Sequence, residues 1–417
     1  VGLRLDGGAA SQYHKSQAAG GRLDGPKFMI FSAAAPFRIL ALALLVTGCA
    51  GQQTRELIAS PAIAAPASEI AGRHRIFVAT TRAEAENKQE VFSGSRSPDL
   101  HFARVDMTVP AIHETGAIER RKQNQRPDPA KFFVANEVAG YQDEAAFSKA
   151  LRADIATHEG RALVFIHGYN TAFDGAVYRM TQIAHDAKYS GTPVLFTWAS
   201  GGKTVDYVYD NNSATAARDR LEKTLRLVAD SGAKRVDIIA HSMGNWVTME
   251  ALRQLAITGD RDLDGKLGDV VLASPDIDVD VFKAQMRRYG KPDKPFILFL
   301  SGDDHALQIS RLIAGNRPRL GGYEDAADIA NYGVVAVDLT KVDAGDSLNH
   351  AKFADNPTLV TLLGERLRQD SSLGAEDRDV TDRIGRLTGG IGQTLTSAAD
   401  IVITTPFEVL NVVVGGN

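Results

Sequence analysis

The chain has 417 residues, a net charge of −4 and 44% hydrophobic residues, enough for one large α/β domain with appendages or for two domains. This charge balance argues against nucleic acid or another polyanion as a partner. The only cysteine is Cys49, which excludes disulfide frameworks, CxxC redox sites and zinc knuckles.

Residues 1 to about 28 are rich in Gly, Ala, Ser and Gln and read as neither core nor signal. Translation is expected to begin at Met29. Arg38 then precedes a short apolar run, Ile39 to Val46, too short to span a bilayer as a helix. The run ends in Val46-Thr47-Gly48-Cys49, which resembles a bacterial lipoprotein lipobox. That resemblance implies cleavage before Cys49 and acylation of its thiol and new amino group, giving a lipid (palmitate-type) membrane anchor without a transmembrane helix. It places the protein at the bacterial cell envelope on the periplasmic face. Ala50, which is not Asp, favours the outer membrane over the inner. The expected division is 1–48 extension and signal peptide, 49–72 Ala/Pro-rich tether, 73–369 folded domain and 370–417 C-terminal tail.

In the folded part, Ile76 to Thr80, Ala103 to Val109 and Phe132 to Ala135 read as strands between turn-rich loops, expected antiparallel at a sheet edge. Phe147 to His158 predicts a helix. Ala162 to Ile166 is a continuous apolar run suited to a strand buried on both faces, and it runs into His167-Gly168-Tyr169-Asn170-Thr171. Phe173 to Lys188 predicts a helix and Val194 to Trp198 a strand. Gly201-Gly202-Lys203-Thr204 fails as a phosphate loop because Thr197 stands where its first glycine is required. Ser213 is the expected N-cap of a helix reaching Asp230.

Val236 to Ile239 is a β-branched strand pattern that breaks into Ala240-His241-Ser242-Met243-Gly244 and then into a helical pattern with Trp246, Met249, Leu252 and Leu255. A serine in a strand–turn–helix junction, with small residues two positions away on each side, is what a nucleophile elbow needs. The helix start beneath it offers N–H groups and a positive dipole end. Asp260-Arg261-Asp262-Leu263-Asp264-Gly265 imitates the start of a calcium loop, but Val271 stands where the closing Glu belongs, so a polar loop is expected. Val270 to Ser274, Phe296 to Leu300 and Gly333 to Asp338 are further strands, leading to Pro275-Asp276-Ile277-Asp278, Ser301-Gly302-Asp303-Asp304-His305 and Asp346-Ser347-Leu348-Asn349-His350. Alternating strands and helices indicate a mainly parallel, doubly wound sheet. Ile401 to Val414 contains Pro406 and Glu408, which argues against a membrane span and leaves packing on the domain or an interface open.

The His167-Gly168 pair after a buried strand resembles the oxyanion loop of α/β-hydrolases, which implies that the amides of Tyr169 and Met243 form an oxyanion hole, with His167 read as a structural buttress. In that fold the triad runs Ser, Asp or Glu, His. After Ser242 only His305 and His350 remain, and His305 adjoins the acidic pair, so His350 is the base. Asp303 and Asp304 compete for the acid, with Asp276 and Asp278 one strand earlier. One member of the later pair is expected to cap the following helix and leave the other for catalysis.

From Arg73 to roughly Leu367 the chain resembles a bacterial α/β-hydrolase family of uncharacterised function, often found as lipoproteins. The motifs are Phe77-Val78-Ala79-Thr80-Thr81-Arg82, Phe165-Ile166-His167-Gly168-Tyr169-Asn170-Thr171, Phe196-Thr197-Trp198, Ala240 to Asn245, and Ala273 to Asp278. The family's Asp-x-Ala-Leu motif fits Asp304-His305-Ala306-Leu307 and selects Asp304. The resemblance implies a Ser242–His350–Asp304 serine esterase or lipase acting on an acyl substrate, with no metal or organic cofactor. Trp198, Tyr207 and Trp246 are candidates for an apolar acyl pocket, or else core. A transacylase or peptidase with the same triad, and a non-catalytic envelope lipoprotein using the fold for binding, are the alternatives.

Overall fold

The computed structural model describes residues 55–58, 63–122, 125–343, 345–368, 399–405 and 409–414. The expectations for Met29, the signal peptide and Cys49 fall outside the described residues. Among the described residues no helix is long and apolar enough to cross a membrane.

Eleven strands form one sheet among the described residues. They are β1 (Ile70–Glu84), β2 (Phe92–Pro110), β3 (Val134–Tyr141), β4 (Arg161–Ile166), β5 (Thr192–Thr197), β6 (Arg235–His241), β7 (Leu267–Ala273), β8 (Phe296–Leu300), β9 (Val334–Asp338), β10 (Ala399–Thr404) and β11 (Val409–Val414). Their order is β11-β10-β9-β8-β7-β6-β4-β5-β1-β2-β3. From β1 to β9 by way of β5, β4, β6, β7 and β8 every pairing is parallel. β2 and β3 add antiparallel strands at one edge, β10 and β11 at the other. This is the α/β-hydrolase fold, a mainly parallel sheet with antiparallel edges.

One expectation changes and one left open is resolved. β1 is no edge strand: it pairs parallel with β5 on one side and antiparallel with β2 on the other, joining the two parts of the sheet. The stretch from Ile401 belongs to the sheet, because β10 pairs with β9.

The helices between the strands are α1 (Glu144–Thr157), α2 (Phe173–Asp186), α3 (Tyr207–Asp230), α4 (Gly244–Ile257), α5 (Val279–Tyr289), α6 (His305–Ile313), α7 (Ala326–Ala330), α8 (Lys352–Asp355) and α9 (Pro357–Arg368). The strand alternation divides the core into two layers. Ala162, Val164, Ile166, Val236, Ile238 and Ala240 face one layer with α1, α3, α4 and α5. Leu163, Phe165, Ile239 and Val271 face the other with α2, α8 and α9. α3 begins six residues before Ser213, whose hydroxyl donates to the Tyr209 carbonyl one turn back at 2.9 Å instead of capping the helix.

At the amino end of the central strands a buried ionic network replaces apolar packing. Arg235 Nε donates to Asp237 Oδ1 at 2.8 Å and its Nη2 to Asp269 Oδ2 at 2.7 Å. Arg366 of α9 reaches Asp269 Oδ1 at 2.5 Å. Both carboxylates are essentially without solvent contact, so their charge is tolerated only because the guanidinium groups are there. Replacing Arg235 with Met is therefore expected to destabilise the fold by about 3–5 kcal/mol, read from the shift in the urea unfolding midpoint.

Candidate active site at the carboxyl ends of the strands

Ser242 follows β6 and sits at φ +53°, a left-handed conformation that costs energy for a residue with a side chain. The turn is fixed from both sides. Ser242 N–H donates to the Ala273 carbonyl at 3.0 Å, and the Ser242 carbonyl accepts from Asn245 N, Asn245 Nδ2 and Asp276 N. The register pairs Ile166 of β4 with Ala240 of β6, which brings the His167–Thr171 loop against the elbow. Gly244 has no room for a side chain: an added Cβ would stand 2.7 Å from the Ile166 carbonyl oxygen and closer still to that of His167. A Cβ on Gly168 would meet the Ser242 Cβ at 2.7 Å. Ala240 lies fully buried in the core layer, at the position where the motif more often has glycine.

Asp304 N-caps α6 and also touches His350. Its Oδ1 accepts from Leu307 N–H at 3.0 Å, while its Oδ2 stands 2.7 Å from His350 Nδ1. The expected division of labour between neighbouring aspartates is thus corrected: one carboxylate caps and orients at once, having two oxygens. Asp303 instead accepts Lys352 Nζ at 2.7 and 2.9 Å and Asn349 Nδ2 at 3.0 Å. Burial would push its carboxyl up, but Lys352 and Ser301 hold it below the usual carboxylate range. Asp276 accepts Tyr207 Oη and Ser310 Oγ and pairs with Arg319, and Asp278 caps α5.

Burial alone would lower the His350 imidazole. The hydrogen bond and charge of Asp304, with Asp276 and Asp346, raise it above the ordinary histidine value instead. Its backbone N–H donates to Asp346 Oδ1 at 3.0 Å. His241, next to Ser242, contacts the His350 carbonyl through Nε2 at 3.1 Å, with ring centroids 4.7 Å apart. Burial and the nearby His350 keep His241 neutral, so its Nε2–H is the donor. His350 thus lies against the residue next to Ser242 at one end of the sheet, with no hydrogen bond between Ser242 Oγ and His350 among the described residues. The Tyr169 and Met243 amides have no protein acceptor there either.

The family described as "Alpha/beta hydrolase of unknown function (DUF900)" matches residues 143–366, more than half of the chain. The chain belongs to that family. No curated protein matches it. The matched span of this family member contains Ser242, Asp304 and His350, whereas β1 and β2 lie before it.

β1 nevertheless supplies the residue that holds the His167–Thr171 loop. Arg82 is fully buried and donates to Thr197 Oγ1 at 2.8 Å, Ser200 O at 2.9 Å, Ser93 O at 3.1 Å and Thr171 O at 2.6 Å. Desolvation brings its guanidinium down to about 10, still charged. Asp210 of α3 grips the same loop from the other side, accepting Asn170 N–H at 3.0 Å, Ser200 Oγ at 2.6 Å and Gly201 N–H at 2.7 Å. His167 is the buttress expected. Its ring stacks on Trp198, its Nε2 lies 2.9 Å from Thr197 Oγ1, and burial with Arg82 alongside lowers it to about 3.

Trp198 is fully buried and donates its indole N–H to the His167 carbonyl. Tyr207 Oη is bound to Asp276 and Ser310, and Trp246 Nε1 donates to Thr215 Oγ1 at 3.2 Å. None of the three lines the cleft of about 800 Å³ that opens beside Gly168 and His241, whose walls carry Arg120, Asp174, Arg179 and Asp355. In the candidate calcium loop Asp260 pairs with Arg226 and accepts Asp264 N–H at 2.8 Å.

Arg82, Asp210 and Lys352 were not found from sequence as site residues. Only Arg82 carried a signal, as the last residue of a family motif. Replacing Arg82 with Met strands several buried acceptors and is expected to cost at least about 3 kcal/mol at roughly 1–3 kcal/mol per unsatisfied group. Chemical denaturation measures that loss, and hydrogen exchange should show faster opening of residues 167–171 in the same variant.

Proposed function

We propose that the protein is a serine hydrolase that cleaves an ester-type acyl substrate. The observation that carries this reading is the 2.7 Å contact between His350 Nδ1 and Asp304 Oδ2, set beside a serine held at a strained strand-to-helix turn. With Nδ1–H committed to Asp304, His350 Nε2 is the free basic nitrogen. Ser242 Oγ attacks the acyl carbonyl and its proton passes to His350 Nε2. The amides of Tyr169 and Met243 donate to the oxyanion as the tetrahedral intermediate forms. His350 returns the proton to the leaving alkoxide, and water then attacks the acyl-enzyme by the same route, releasing the acid and restoring Ser242. Side-chain rotation at Ser242 completes the serine–histidine hydrogen bond in the substrate complex, as is common when catalytic contacts tighten only on binding.

The lipobox around Cys49 supports a further part of this reading, a lipid anchor at the periplasmic face of the envelope, the outer membrane being favoured. The polar walls of the cleft beside Gly168 and His241 support an acyl donor with polar groups near the scissile bond over a purely aliphatic one.

A fluorophosphonate probe tests the mechanism. Labelling of the wild type is expected, with loss in Ser242→Ala and His350→Ala. An unlabelled but folded wild type would sink it and favour a binding role for the fold.

The base must be neutral to act. Because its environment raises His350 above 6.5, labelling should increase with pH on the alkaline side of the ordinary histidine value. Asp304→Asn is expected to lower the maximal rate on the order of 10⁴-fold and to move the rise to lower pH. The linked stability has the opposite sense: the raised value favours the folded state fully below the unfolded pKa of about 6.5, and that contribution disappears as pH rises through the folded value.

A further inference from the structure

A cluster of histidines and carboxylates lies away from Ser242, at the far end of α2, about 20 Å along the helix from the His167–Thr171 loop by its rise per residue. One donor atom from each of His113, His185 and Asp186 lies within 4.8 Å of the others. The remaining atoms of these side chains are already held. His113 Nδ1 is 2.8 Å from Glu119 Oε2, and His185 Nδ1 is 3.1 Å from His74 Nε2. Asp186 Oδ2 accepts Gly116 N–H at 2.8 Å and Gln182 Nε2 at 2.6 Å. His113 Nε2 and Asp186 Oδ1 face each other 2.7 Å apart, and the His185 ring stands beside them with its centroid 5.3 Å from that of His113.

We propose that His113, His185 and Asp186 form a structural binding site for a divalent transition metal of the zinc type. Two imidazole nitrogens and one carboxylate oxygen are the donor set that zinc and cobalt favour, with water completing four-coordination. The Glu119–His113 contact is the carboxylate–histidine arrangement that orients a metal-bound imidazole. The carboxyl end of α2 adds the negative end of a helix dipole. Drawing 4.8 Å in to the roughly 3.3 Å edge of a tetrahedron with 2.0–2.1 Å bonds takes side-chain movements of order 1 Å. On binding, the metal replaces the proton between His113 Nε2 and Asp186 Oδ1, and that proton leaves to solvent. The segment carrying His113 and Glu119 also supplies Glu114, Gly116 and Ile118 to the wall of the cleft beside His241, so the metal stiffens that wall from behind.

The test uses the full chain, made without a polyhistidine tag and titrated with Co²⁺ near neutral pH. One equivalent should bind with the visible absorption of a four-coordinate site, Zn²⁺ should displace it, and either metal should raise the Tm. His185→Gln and Asp186→Asn should abolish the absorption band. Glu119→Gln, which removes no ligand, should weaken affinity about 10–100-fold and keeps the test readable should a ligand variant fail to fold. No stoichiometric uptake by the wild type, or uptake unchanged by all three substitutions, would overturn the site and leave a proton-bridged histidine in its place.

Discussion

The candidate site depends on a shortage of space. β4 and β6 run side by side, and the turn after β6 must reverse directly beneath the carbonyls of Ile166 and His167. Glycine at 244 lets the helix start there, and glycine at 168 lets the neighbouring loop close over the Ser242 Cβ. Ser242 takes up the remaining strain with a positive φ. The cost of such a residue, of order 1–3 kcal/mol, is borne because hydrogen bonds to Ala273, Asn245 and Asp276 over-determine the turn.

Around that turn, buried charge does what apolar packing does elsewhere. Loops at strand ends have backbone groups that no ladder satisfies, so something else must hold them in one conformation. Arg82 spends its donors on carbonyls and a hydroxyl at the ends of β4 and β5 and on a carbonyl of β2, and Asp210 receives amides and a hydroxyl from the loops after β4 and β5. Each offsets part of the other's desolvation through charge attraction without direct contact. The Lys352–Asp303 pair plays the same part further along, tying the loop of Asp304 to the loop of His350 so that their 2.7 Å contact is held from outside. Lys352 is itself buried and also donates to Leu339 O, anchoring the assembly to the end of β9.

The amino end of the sheet uses ionic groups for a different purpose. Arg235, Asp237, Asp269 and Arg366 lock β6, β7 and α9 together, leaving the carboxyl end to carry the polar residues available for chemistry. Such separation suits this architecture, in which the strands' carboxyl ends carry sites on loops over a rigid base.

Much of the fold was legible because it is written in local patterns. Continuous apolar runs marked the buried strands β4 to β9, and the small residues around Ser242 marked the elbow, since both are patterns of neighbouring residues. Chain order and the single late histidine outside the acidic loop singled out His350. The sequence could not show that Asp304 both caps α6 and meets His350, because the two oxygens of one carboxylate are told apart only by what surrounds them. Nor could it show that Arg82, Asp210 and Lys352 are buried, since a charged residue reads as surface until tertiary packing supplies its partners. The start of α3 and the pairing of β10 were hidden for related reasons: a hydroxyl that could cap was satisfied one turn back, and Pro406 obscured two strands whose hydrogen bonds come from β9 and each other. His113 is far in the chain from the adjacent pair His185 and Asp186, and folding alone brought them together. Local periodicity thus determined the elements and their order; long-range burial of polar groups decided how the loops between them are held.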